Sequence, residues 1–114
     1  MRLAETLAQV SVAVDAVEKW ASELRQRIPL VPTLSTKTFA SYAADVRALL
    51  DAYEDALMQV DSILDTKIFT ESQITMVQVL VEKLQRTFGH LQLCQFTLRS
   101  VLDERVHRMR GMFP

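Results

Sequence analysis

The chain has 114 residues, 49% of them apolar, a formal net charge of −1, one cysteine, two glycines and three prolines. That is enough for one domain with a single small core, too apolar for intrinsic disorder, and without a global field that would draw it to nucleic acid or an anionic bilayer. No apolar run approaches the roughly 18 residues of a membrane span, Glu5 and Asp15 come too early for a signal peptide, and the single Cys94 allows no intrachain disulfide and fits a reducing compartment. The expectation is a soluble cytoplasmic protein folding as one helical-bundle domain over residues 1–114.

Helix one is predicted from Arg2 to Arg27. Its apolar ladder is Leu3, Leu7, Val10, Val14, Val17, Ala21, Leu24 and Ile28, stepping by four and three residues alternately. A mean step of 3.5 holds one stripe of a helix against its neighbours, as in coiled coils and bundles. Pro29 ends the helix and disfavours helical geometry at Ile28. The stretch from Pro29 to Leu34, with Pro32 inside it, reads as a stiff connector.

Helix two starts at Ser35, whose hydroxyl can take an unpaired amide of the first turn. Leu34 and Phe39 stand where a hydrophobic staple would. Its ladder is Phe39, Tyr42, Val46, Leu49, Tyr53, Ala56, Val60 and Ile63, and the helix is expected to end near Asp65.

Helix three is announced twice over. Thr70 and Gln73 spell a capping box, and Phe69 and Ile74 a staple around it. The ladder Ile74, Val77, Val81, Leu84, Phe88, Leu91 breaks at Gln95 and resumes at Leu98 and Leu102. The helix can run from Glu71 to Arg110, with Gly111 offering a left-handed stop. Gly89 inside it costs roughly 1 kcal/mol relative to alanine, so it marks a close helix contact or a kink. Extra apolar residues (Trp20, Leu50, Leu57, Leu64, Met76 and Leu80) broaden the stripes enough for each helix to touch two others. With short connectors, the fold class is all-α, an antiparallel three-helix bundle.

The helix lengths do not match. Helices one and two span roughly 40 Å each and an unbroken helix three roughly 60 Å. About a dozen residues from Arg99 onward would then overhang, or Gly89 would bend the tail back as a short fourth helix. The tail carries Val101, Leu102, Val106, Met109, Met112 and Phe113 among Arg99, Arg105, Arg108 and Arg110. Exposed apolar area of this kind marks an interface. The expected partner-binding residues are Val101, Leu102, Arg105, Val106, Arg108, Met109, Arg110 and Phe113. Charge is sorted too: Asp45, Asp51, Glu54, Asp55, Asp61 and Asp65 crowd helix two, while bases dominate from Lys83 onward.

Catalytic chemistry finds little footing, and no metal or cofactor is expected. A di-iron bundle needs two E-x-x-H motifs with two further glutamates, and only Glu104–His107 occurs. His90 and Cys94 share a helical face, but zinc needs at least three protein ligands. There is no G-x-S-x-G, phosphate loop or H-E-x-x-H. Glu54 and Asp55 are adjacent and point apart; Tyr42 and Tyr53 sit on the core ladder.

The expected function is therefore non-catalytic: a helical protein–protein interaction module, whether adaptor, assembly subunit or chaperone-like factor. It would hold another chain, or itself as a homodimer, through the basic, apolar end of helix three. The alternative is a nucleic-acid accessory protein whose tail arginines contact phosphates while Phe113 stacks on a base. In pattern, Ala48-Leu49-Leu50-Asp51 through Leu57 resembles the helical N-terminal half of primosomal replication protein N-double-prime, a likeness confined to one helix that assigns no family. A membrane-surface role is not expected, because Asp103 and Glu104 interrupt the short amphipathic tail.

Overall fold

The computed structural model describes residues 3–28, 35–65 and 69–111, the side chains of residues 3, 4 and 36 excepted. Three helices form: α1 (Leu3–Arg27), α2 (Thr36–Leu64) and α3 (Glu71–Gly111). They pack on one another as an all-α three-helix bundle, 66 Å long and about 20 Å across. The proline connector and Leu34 lie outside the described residues.

Both anticipated caps form. Ser35 is extended, at φ −62° and ψ 154°, and its hydroxyl accepts the Thr38 amide. At the start of α3 the Thr70 amide donates to Gln73 Oε1 at 3.0 Å, while the Gln73 amide donates to Thr70 Oγ1 at 3.2 Å. Two amides that the helix cannot satisfy internally are thereby paired. Gly111 is the last residue of α3 and has no positive φ, so the left-handed stop is not used.

Side-chain contacts give the direction of each helix. Tyr42 Oη, near the start of α2, donates to the Arg27 carbonyl at the end of α1. Tyr53 of α2 lies against Phe88 of α3, and the Arg105 guanidinium sits 5.3 Å from the centroid of the Phe39 ring. Consecutive helices are thus antiparallel, and α1 runs parallel to α3. That parallel pair is pinned by Lys83–Asp15 and by Arg86 Nε donating to Glu18 at 2.9 Å. Both pairs are open to solvent, which screens them, so they fix alignment more than stability.

The core is built by the expected ladders of α1 and α2. In α1 every ladder residue from Leu7 to Ile28 is buried; in α2, Val46, Leu49, Ala56, Val60 and Ile63 are buried, with Phe39, Tyr42 and Tyr53 packed at the edge. In α3 the ladder needs correction. The buried line is Val77, Leu80, Leu84, Thr87, Leu91, Cys94, Leu98 and Val101. Alternate members of the expected ladder are shared, but Ile74, Phe88 and Leu102 stand 45–46% exposed and Val81 is half-buried. The stripe is rotated toward α1. Thr87 can be buried because its hydroxyl donates to the Lys83 carbonyl one turn back, at 2.8 Å, leaving no unpaired polar atom.

The tail also differs from expectation. Residues 71–111 form one continuous helix, so there is no fourth helix folded back at Gly89. Nor is Gly89 a close-contact residue: a Cβ placed there would meet nothing within 4 Å. The overhang is shorter than the helix lengths imply, because α2 begins beyond the end of α1 and covers the upper part of α3 as far as Arg105. Val101 is buried, and only the last turn and a half, Val106 to Gly111, projects past the described bundle.

Candidate functional site

The rotation of α3 creates the most distinctive surface of the molecule. Ile74, Val81, Phe88, Leu102 and Met109 recur at multiples of seven, with Gln95 filling the one gap, so they form a second apolar line beside the core line. On the facing flank of α2, Leu50, Leu57 and Leu64 recur at the same interval. Between the two lines runs an open seam. Its lower end is a depression lined by Leu64, Phe69, Ile74, Val77 and Val81. Its upper end is a wider one lined by Phe39, Ala43, Leu50, Leu98 and Leu102. Leu57 and Phe88 are exposed between them. A seven-residue repeat on a half-exposed helix flank is the spacing that a further helix would occupy.

The seam is sorted by charge. Its lower half carries Glu82 in the wall, with Asp61 exposed between Leu57 and Leu64. Glu54 and Asp51 follow, and the upper wall adds Arg47 and Arg99. Beyond it the tail presents Arg108 and Arg110, both exposed. Gln78, Gln85 and Gln95 supply neutral polar groups along α3. Tyr53, packed behind Phe88, has its phenol pKa raised by burial.

The expected partner-binding residues divide into three groups. Leu102, Val106, Met109 and Arg110 are exposed and continue the seam toward the tail. Val101 belongs to the core instead, and Arg105 is half-buried on the Phe39 ring, so neither offers a free surface. Arg108 is exposed but leans on Glu104 at 3.6 Å, one helical turn away. Phe113 lies outside the described residues. Leu57, Leu64, Ile74, Val81 and Phe88, which heptad spacing alone would send to the core, lie along the seam instead.

Other candidate chemistry separates in space. The Arg25 guanidinium donates to His90 Nδ1 at 3.2 Å, setting a fixed cation beside the His90–Cys94 pair. Among the described residues no three His, Cys, Asp or Glu side chains converge as a ligand set, and no helix is long and apolar enough to cross a membrane. Cys94 is buried, and desolvation pushes its thiol pKa up, with Arg25 only partly opposing this. A thiol reagent at pH 8 should therefore label native Cys94 on the order of a hundredfold more slowly than the urea-unfolded chain. Equal rates would place Cys94 at the surface.

No family model matches the chain, and no curated protein or solved structure matches it either.

Proposed function

We propose that this protein is a non-catalytic interaction module, an adaptor or assembly subunit that holds an amphipathic helix along the seam between α2 and α3. One observation carries the reading: beside its core line α3 has a second apolar line, Ile74, Val81, Phe88 and Leu102, that the chain's own packing covers only in part. Burying the second against another helix removes Ile74, Val81, Phe88 and Leu102 from water at about 25 cal/mol per Å² of apolar surface, with the charged walls selecting partner and orientation. A cytoplasmic setting goes with this reading, since the chain needs no disulfide.

The competing reading assigns the same end of the molecule to nucleic acid. Its basic groups are few and scattered: Arg105 is held on Phe39 and Arg108 leans on Glu104, and the α2 wall repels phosphate through Asp51, Glu54 and Asp61. The two readings predict opposite orders of effect. Proteins captured from the native cell by the wild type should be lost by a Phe88→Ser, Leu102→Ser variant and largely retained by Arg105→Ala, Arg108→Ala. Binding to single-stranded or duplex DNA should stay weak across a salt titration. Steeply salt-dependent DNA binding that flattens by about one unit per arginine removed, with no capture that depends on the seam, would overturn the proposal.

A further inference from the structure

We infer that the seam of each chain is closed by α3 of a second copy lying antiparallel in it, so that the protein is a two-fold dimer with α3 against α3 at its centre. This rests on the proposed helix-holding role of the seam and names its occupant. Three observations carry it.

The first is pattern. The exposed flank of α3 has two interleaved lines: Ile74, Val81, Phe88, Gln95, Leu102 and Met109, and beside them Gln78, Gln85, Gln92, Arg99 and Val106. The described depressions are lined by members of both. Together they step by four and three residues, the two core positions of a coiled coil. The helix that lines the seam therefore carries one apolar line at the spacing a seam accepts, with glutamines and Arg99 beside it to supply polar pairs.

The second is charge. The lower end of the seam is acidic, through Asp61 and Glu82; its upper depression sets Arg47 and Arg99 beside Asp51 and Glu54, and the tail beyond it adds Arg108 and Arg110. A parallel pairing would stack like halves on each other; an antiparallel pairing brings each basic end to the other chain's acidic end.

The third is register. Pairing the two lines of one α3 against those of an antiparallel copy sets the two-fold axis between Gln92 and Gln95. Val81 then meets Val106 of the second copy, and Leu102 meets the level of Gln85 and Leu57. Arg99 arrives level with Phe88. Because Phe88 packs on Tyr53, Arg99 also reaches the level of Glu54, where it can lie over the ring and against the carboxylate. At the axis Gln92 faces Gln95, a neutral polar layer that penalises sliding to any other register.

Sedimentation velocity on the full chain across a wide concentration range, with melting curves on the same samples, tests this. The wild type should dimerise, and dimerisation should weaken as salt rises. Arg99→Glu and Glu54→Arg should each lower the dimer association constant at least about tenfold without lowering the melting temperature of the monomer. The double variant Arg99→Glu, Glu54→Arg should dimerise again, because an antiparallel dimer exchanges both partners of each contact; a parallel dimer would not recover. Mixing the two single variants should likewise produce a heterodimer. A chain that stays monomeric, or a dimer indifferent to both reversals, overturns the inference. A monomer that still captures another protein through Phe88 and Leu102 overturns only the occupant; a monomer with no seam-dependent capture overturns the proposed function as well.

Discussion

Leu49→Ala and Leu84→Ala should each lower the unfolding free energy by about 2–5 kcal/mol, as truncations in a fully packed core do. Both side chains are buried in the common core of the three helices. Removing three carbons there forfeits transfer energy and leaves a cavity that the facing ladders cannot fill. Phe88→Ala removes more atoms but should cost the monomer well under half as much, because 46% of Phe88 is already exposed and its loss opens no cavity. Urea melts at low protein concentration, where any dimer is dissociated, make the comparison clean. A Phe88 cost equal to that of Leu84 would return Phe88 to the core and remove the second ladder.

Gly89 provides the second large effect, with opposite signs for two substitutions. Gly89→Ala should stabilise the chain by roughly 1 kcal/mol, since a helix interior prefers alanine by that amount and the added methyl meets no neighbour. A rise in Tm of roughly 4 °C is expected. Gly89→Pro should cost about 3 kcal/mol or more, through the lost hydrogen bond and the clash with the preceding turn. The pair of measurements reads out the continuity of α3. A close-packed contact at Gly89 would make alanine destabilising as well, and a hinge there would let proline be tolerated.

The α3 ladder shows where sequence reasoning succeeds and where it slips. Val77, Leu84, Leu91 and Leu98 belong to both the expected stripe and the observed core. Their companions do not: Ile74, Val81 and Phe88 are more apolar than Thr87 and Cys94, so hydropathy favours the wrong flank. A helix places side chains every 100°, and two stripes that share alternate members differ only by a modest rotation about its axis. That rotation follows from where α1 lies. The contacts Asp15–Lys83 and Glu18–Arg86 and the small, self-satisfied Thr87 turn α3 toward α1 and leave its apolar flank outside. The signal that something remained was present in the seven-residue spacing of Leu50, Leu57 and Leu64, beside an already complete ladder in α2.

Helix number, helix ends and the cores of α1 and α2 were legible in the residues themselves, because they rest on local chemistry. Ser35, the Thr70–Gln73 box and the unbroken four–three ladders act within a few residues of one another and need no knowledge of the fold. The rotation of α3, the burial of Val101 and the open seam were decided only by tertiary structure. The rotation goes with where α1 lies, and the cover over the upper part of α3 with how far α2 starts beyond the end of α1. Those placements determine which turns of α3 find a neighbour and which apolar flank stays exposed.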